Sequence, residues 1–126
     1  MASLDVGVAG PLKPAIFVLE IGRPIKQDVA SLFGVTESEI HTISVMRAIT
    51  ETEIPEIAAK AYKKVMELAR GGRPVYIVLS GPLALSFQLG QALGLSHANI
   101  VVYQFMGGKY VQVPPLTRTH LFEEVK

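Results

Sequence analysis

Short apolar runs alternate with segments of helical periodicity along most of this chain. Residues 15–21 and 75–79 are mostly aliphatic and β-branched, are too short for stable helices, and are each followed by a turn with glycine and proline. These runs predict strands that are covered on both faces. Residues 100–105 predict a further strand, whereas residues 40–47 mix polar and apolar positions, as is typical of an edge strand.

Three helices are predicted between these strands. The second, over residues 54–69, shows the clearest helical spacing, with acidic residues near its start and a Gly71-Gly72 stop. The third, over residues 83–93, follows Pro82, whose fixed φ suits a first helical residue. The first ends at Gly34 and is expected to bury one face, made of Ile25, Val29, Leu32 and Phe33.

The order of these elements predicts the fold class. Strands that alternate with helices form a mainly parallel sheet with helices on both faces. Gly107-Gly108 predicts a hairpin turn into a last strand over residues 110–113, and Pro114-Pro115 is expected to end regular structure. We therefore expect a three-layer Rossmann-like α/β domain over residues 15–113, with four mainly parallel strands plus a C-terminal β-hairpin. An N-terminal arm over residues 1–14 is expected to precede this domain, and a tail over residues 114–126 is expected to follow it.

Charge and composition exclude several classes of function. The net charge is only +1, so binding to duplex nucleic acid is not expected. The chain has no cysteine, and His41, His97 and His120 are isolated, so we expect no disulfide and no metal site. There is no unbroken apolar run of about 20 residues and no secretory signal in residues 1–14. We expect a soluble, cytoplasmic protein that does not associate with membranes.

Four predicted loops meet at the carboxyl edge of the sheet, where ligands of open α/β sheets bind. Three of these loops carry a cation, namely Arg23, Arg47 and Lys109, and two helices begin there. The N–H groups of a helix start favour anions. The sequence therefore predicts an electropositive edge that would suit an oxygen-rich or anionic ligand.

Residues 80–82 are the strongest functional signal in the chain. They lie in a stretch without Asp, Glu, Lys or Arg from Pro74 to Gly108, so the third helix is expected to be covered by the sheet on one face and by a partner or ligand on the other. Gln104 would need a hydrogen-bond partner and could face the same pocket. Residues 80–82 could also be only a tight strand-to-helix turn that needs no ligand, and Arg23 could be only a solvated loop charge. The candidate ligand-binding residues are Gly22, Arg23, Arg47, Ser80, Gly81, Pro82, Leu83, Gln104 and Lys109.

Several familiar site motifs are absent. Gly-x-Ser-x-Gly is missing, and the sequence places no partner that would activate Ser80. The glycine spacings of dinucleotide and phosphate loops are missing as well. Bound NAD or ATP is therefore disfavoured, and no cofactor is expected.

Three segments nevertheless resemble a known group of domains. Residues 78–90 (VLSGPLALSFQLG), 100–105 (IVVYQF) and 108–113 (GKYVQV) resemble the closing half of CRISPR-associated Rossmann-fold (CARF) and SAVED sensor domains. Residues 16–21 and 23–25 resemble short stand-alone CRISPR-associated members of this group, some of which are ring nucleases. The resemblance covers most of residues 15–113.

The resemblance implies a ligand and a chemistry. It implies that a homodimer of the type III CRISPR system binds cyclic oligoadenylate, with cyclic tetra-adenylate as the first expectation. Ser80, Gly81, Pro82 and Leu83 carry over to the phosphate-facing turn, and Arg23 is a further match. Because the chain carries no appended effector domain, we expect it to degrade the messenger as a metal-independent ring nuclease, with Arg23, Ser80 and Lys109 as catalytic residues. A protein that only sequesters the messenger, or a dimeric α/β interaction module, remains an alternative.

Overall fold

The computed structural model describes residues 13–123 of the chain. One sheet contains five strands, and these are β1 (Ala15–Ile21), β2 (Ile40–Val45), β3 (Val75–Ser80), β4 (Ile100–Met106) and β5 (Lys109–Val113). Their order across the sheet is β2-β1-β3-β4-β5. The pairs β1–β2, β1–β3 and β3–β4 are parallel, and β5 is antiparallel to β4. The predicted α/β fold class is confirmed.

The helices cover both faces of the sheet. Residues 13–123 form four α-helices, namely α1 (Lys26–Phe33), α2 (Glu53–Leu68), α3 (Leu83–Leu93) and α4 (Arg118–Phe122), with 3₁₀ turns at Glu37–Glu39 and Arg70–Gly72. Side chains of α1 share one hydrophobic cluster with the sheet, and side chains of α2 and α3 share the other. The face on which each of these helices lies follows from right-handed crossovers between parallel strands, because the connection from β1 to β2 runs in the opposite direction across the sheet from those to β3 and β4.

Strand β1 is buried on both faces because it lies inside the sheet. Phe17 and Leu19 pack in the cluster of α2 and α3, whereas Ile16 and Val18 pack in the cluster of α1. Successive residues of a strand point to opposite faces, so a strand with two covered faces needs apolar residues at nearly every position. The burial that the apolar run predicted is confirmed.

Several boundaries and exposures differ from the predictions. The edge strand β2 ends at Val45 rather than at residue 47. Leu32, which was expected on the buried face of α1, keeps 38% of its surface exposed because the eight-residue helix covers little of the sheet. Pro82 precedes α3 as its N-cap, with ψ of 141°, and is not the first helical residue.

The prediction that regular structure ends at Pro114-Pro115 is wrong, because the segment that follows contains a helix. This helix is the five-residue α4. The Thr117 hydroxyl accepts the N–H of His120, and His120 Nδ1 accepts the N–H of Thr117 at 3.0 Å. This reciprocal cap stabilises a helix start that hydrophobic periodicity could not reveal. The predicted arm lies almost entirely in residues 1–12, outside the described residues, as does the end of the tail, residues 124–126.

One side of the molecule is rich in exposed apolar side chains. Leu83 and Phe87 of α3 are 88% and 70% exposed. Val102 and its cross-strand partner Val113 are partly exposed on the same face of the sheet as α3. We call these four residues the apolar face.

Candidate functional site

The strand order reverses between β1 and β3, and the loops that follow these two strands meet there. Such a switch point is the usual ligand site of an open α/β sheet. A Cβ atom on Gly81 would lie 3.0 Å from Cβ of Ile21 and 3.1 Å from its Cγ1. The two strand ends can therefore approach this closely only with glycine at position 81.

The loop after β1 presents Arg23 at this edge. Gly22 has φ of 78°, which favours glycine, and its N–H donates to the carbonyl of Val45 at 2.7 Å. This bond ties the loop to the end of β2. Arg23 itself is exposed and, among residues 13–123, makes no ion pair.

A buried carboxylate occupies the start of α1. Glu20 is only 5% exposed, and its Oε2 accepts the N–H of Ile25 at 2.7 Å and that of Lys26 at 3.0 Å. Glu20 thus satisfies two of the free amide donors of the helix start. The prediction that two helix N-termini would add positive potential is wrong in this respect, because α1 already holds an anion and only α3 remains.

Glu20 also stands beside two hydroxyl residues. The register pairs it with Ser44 on β2 and with Ser80 on β3. Side chains of paired residues point to the same face of a sheet. The three residues therefore form a polar row across the carboxyl edge, on the face that carries α1.

Arg47 lies at the edge but its charge is neutralised. Its Nη1 and Nη2 donate to Oε1 and Oε2 of Glu53 at 3.0 and 2.6 Å. The hydrogen bond from Arg47, followed by that from the N–H of Thr50, lowers the pKa of Glu53 from 4.5 to about 2. The Arg47 charge is thus engaged by Glu53, and the edge is less electropositive than three cations would make it.

The remaining two cations are separated by the sheet. Burial is the main cause that raises the pKa of Tyr110, and the negative charge of Asp28 raises this pKa further. The positive charge of Arg23 lowers the same pKa, so Arg23 lies close enough to the Tyr110 hydroxyl to act on it. Tyr110 and Phe105 pack edge to face with ring centroids 5.1 Å apart. Lys109 is paired with Met106 on the opposite face of the sheet from Tyr110. Arg23 and Lys109 therefore flank the edge from two sides.

A cavity of about 370 Å³ lies between α3 and the β3–β4 part of the sheet. It brings together three of the predicted residues, Gly81, Leu83 and Gln104. Gln104 is exposed rather than buried as expected, and its Nε2 donates to the carbonyl of Phe105 at 3.3 Å. The full lining is Ile77, Leu79, Gly81, Leu83, Ser86, Leu89, Gly90, Leu93, Ile100, Val102, Tyr103 and Gln104.

Two further observations bear on the expected absences. Within residues 13–123, no cluster of three or more His, Asp or Glu residues is placed to hold a metal ion. In the same part of the chain, no helix has the length and apolar character needed to cross a bilayer.

Sequence reasoning missed Glu20 and Gly90. Glu20 is the one charged residue in an otherwise apolar strand segment, and that signal alone could have marked it. Gly90 gave no such signal, because a glycine in a helix looks unremarkable until the tertiary structure shows that it lines the cavity.

Comparison with known protein families identifies the class of domain. Residues 3–113 match the SAVED family, the "SMODS-associated and fused to various effectors sensor domain". The match covers most of the chain, so this chain belongs to the SAVED family. A search of curated protein sequences found no significant match.

Solved structures of the Acinetobacter baumannii Cap4 SAVED/CARF-domain containing receptor share the fold. One aligns with a TM-score of 0.65 at 15% identity and covers 82% of this chain and 24% of the receptor chain. A second, with the cyclic trinucleotide 2'3'3'-cAAA, aligns with a TM-score of 0.64 at 18% identity and the same coverage. A third, with 3'3'3'-cAAA, has a TM-score of 0.50 at 16% identity, with coverages of 89% and 27%. The chain thus spans about a quarter of the receptor's length.

Proposed function

We propose that this chain binds a cyclic oligoadenylate at the carboxyl edge of its sheet. The observation that carries the proposal is the cavity between α3 and the β3–β4 part of the sheet, which Gly81 borders, in a chain of the SAVED family. The Cap4 structures with cyclic trinucleotides of adenine support it, because they share this fold. We expect cyclic tetra-adenylate as the ligand, and cyclic tri-adenylate is the first ring to compare with it.

The edge offers separate groups for phosphate and for base. Arg23 and Lys109 are exposed cations on the two sides of the edge. The N–H groups of Leu83 and Ala84, in the first turn of α3, have no acceptor within the helix and suit a phosphate oxygen. The uncharged cavity behind Gly81 suits an apolar ring. The site therefore combines the two chemistries that a nucleotide requires.

The functional unit is proposed to be a homodimer that uses the apolar face. Leu83 lies both on that face and in the cavity lining. A second copy docked there would bring two Ser80 turns towards one ring. A ring with an even number of repeats matches a two-fold axis, so each subunit can make the same contacts.

The same site is proposed to cleave the ring without a metal. The ribose 2′-oxygen would attack the adjacent phosphorus while the bond from phosphorus to the next 5′-oxygen breaks. The 2′-proton passes to that 5′-oxygen, which leaves a 2′,3′-cyclic phosphate and a 5′-hydroxyl. Arg23 and Lys109 would stabilise the charge on the phosphate, and Ser80 would fix the group in line. The exposed Arg23, which has no ion pair within the described residues, supports this role.

Binding without cleavage is the second candidate, and one observation favours it. Among residues 13–123, the acidic side chain in register with Ser80 is Glu20, and its Oε2 already accepts two backbone N–H groups. A general base for the 2′-hydroxyl is therefore not evident. The chain would then sequester the messenger in the manner of a buffer.

A dimeric interaction module without a nucleotide ligand is the third candidate. The exposed Leu83 and Phe87 favour it, because they could serve assembly alone. All three candidates share the fold and the apolar face, and they differ in what they do to a cyclic nucleotide.

One experiment separates these three functions. The chain is incubated with cyclic tri-, tetra- and hexa-adenylate in the presence of EDTA, the products are separated by chromatography, and binding is measured by calorimetry. Loss of the ring together with a linear product ending in a 2′,3′-cyclic phosphate supports cleavage, and Arg23→Ala should slow it. Binding with an intact ring supports sequestration. If none of the rings binds or changes, the interaction module is the remaining function.

A further inference from the structure

We propose that the cavity between α3 and β4 holds one adenine base and that Gln104 reads the edge of that base. This inference rests on the proposed function for the nature of the ligand, but it concerns a particular pocket and residue. It assigns specificity to a neutral amide and not to the cations of the edge.

The cavity is suited to an uncharged ring and not to a phosphate. Its walls are mostly aliphatic, and none of its lining residues carries a charge. A phosphate placed among Ile77, Leu79 and Ile100 would lose its hydration without gaining a partner. Its volume of about 370 Å³ is small for a ligand pocket. It therefore fits one nucleobase, while the rest of a cyclic messenger would lie outside on the edge.

Gln104 has the hydrogen-bonding groups that adenine needs. A glutamine amide offers an acceptor and a donor side by side, which matches the donor and acceptor on an edge of adenine. In the structure Nε2 makes one long contact, 3.3 Å to the carbonyl of Phe105, and Oε1 has no partner among the described residues. The amide is thus available at the rim of the cavity, and Ser86 adds a hydroxyl in the same lining.

Gly90 keeps the pocket open. It lies inside α3, where glycine weakens a helix, and it lines the cavity. A Cβ atom built on Gly90 would meet no atom within 4 Å beyond its own helix turns. A larger side chain could therefore enter the cavity from this position without a clash against the core. This feature allows the pocket to be filled while the fold is retained.

The first test fills the cavity. Gly90→Leu should fold at least as well as the parent and should weaken binding of cyclic tetra-adenylate about tenfold or more, because the base would lose its place. Gln91→Leu is the matched control, since it places the same leucine side chain at the next residue of α3, which does not line the cavity. We expect the control to bind as the parent does. Equal binding by parent and Gly90→Leu would overturn the inference while leaving the proposed function intact.

The second test concerns the choice of base. Gln104→Leu should lose about tenfold or more in affinity for cyclic tetra-adenylate relative to the matching cyclic tetra-guanylate, since a bidentate amide contact to adenine would be removed. An unchanged preference between the two rings would show that Gln104 does not read the base.

A third measurement tests the base pocket with adenosine alone, without a cyclic oligoadenylate. Adenosine is titrated into the parent and into Gly90→Leu while the methyl signals of Leu83, Leu93 and Val102 are followed by NMR. Shifts in the parent that are lost in Gly90→Leu support a base pocket even if no cyclic oligoadenylate binds, which would refute the proposed function alone. If adenosine moves none of these signals in the parent, the inference fails.

Discussion

Substitution of Glu20 tests whether its two hydrogen bonds stabilise the start of α1 at the carboxyl edge of the sheet. Its carboxylate is almost completely buried and accepts the N–H groups of Ile25 and Lys26. Glu20→Ala removes the acceptor of both donors, whereas Glu20→Gln retains an oxygen that can accept them and removes only the charge. The pair of variants therefore separates the hydrogen bonds from the electrostatic contribution.

The expected magnitudes follow from these contacts. A buried donor that loses its partner costs about 1–3 kcal/mol. The bond to Ile25 is buried, whereas that to Lys26 is partly buried, so water can replace some of the second. We expect Glu20→Ala to lower the free energy of unfolding by about 2–4 kcal/mol. Glu20→Gln should lose about 1 kcal/mol, because only the favourable charge at the helix start is removed.

Urea unfolding, followed by circular dichroism, measures both values. Glu51→Ala is the control, since Glu51 is exposed and makes no described ion pair, and it should change stability by about 0.5 kcal/mol or less. If Glu20→Ala were as stable as this control, the two hydrogen bonds would not hold the start of α1 in place, and this account of Glu20 would be wrong.

Four further predictions concern ligand, dimer and pH. Cyclic tetra-adenylate at a hundred times its Kd should stabilise the native state by about 2.7 kcal/mol and raise Tm, and linear tetra-adenylate should do less; an unchanged Tm with every cyclic adenylate would argue against the proposed ligand. Arg23→Ala should weaken binding by about 1.5–3 kcal/mol in calorimetry without loss of stability, and parental affinity would mark Arg23 as a solvated charge. Phe87→Glu should give a folded monomer in light scattering while Leu32→Glu, on the other face of the sheet, remains dimeric; a monomeric parent would refute the shared site. The Arg47 hydrogen bond depresses the pKa of Glu53 to about 2, so the contribution of the ionised pair to stability should be present above pH 4.5 and fade as the pH falls towards 2. Glu53→Gln should remove this contribution, so the free energy of unfolding in urea should be slightly lower than in the parent near pH 7 and should change less between pH 4.5 and pH 2; an equal pH dependence in both proteins would contradict this reasoning.

The structure also changes which residues can test the dimer. Leu85 and Leu89 lie on α3 as well, but they are 2% and 1% exposed and belong to the core. Substitution by Glu there would unfold the chain and reveal nothing about assembly. Leu83 and Phe87 are the large apolar side chains of α3 that are exposed. Helical spacing alone did not distinguish these two faces, because α3 is apolar on both.

The sequence by itself determined the fold class and indicated where a candidate site would lie. Apolar runs such as residues 15–21 and 75–79 are followed by glycine turns and helices, and this local alternation leaves few arrangements other than a parallel sheet with covered faces. The carboxyl edge follows from that topology. The uncharged stretch around residues 80–82 indicated which of its loops to consider first, and the same residues carried the resemblance to CARF and SAVED domains.

Only the tertiary structure decided which groups at that edge remain available to a ligand. Glu20 closes the start of α1 and Glu53 neutralises Arg47, and both depend on distances between side chains that the order of residues does not give. The cavity beside Gly90 and Gln104 depends on how far α3 stands from β4. Local propensity determines the elements, whereas charge pairing and cavities arise from packing between elements, so the sequence could locate the edge but could not describe its chemistry.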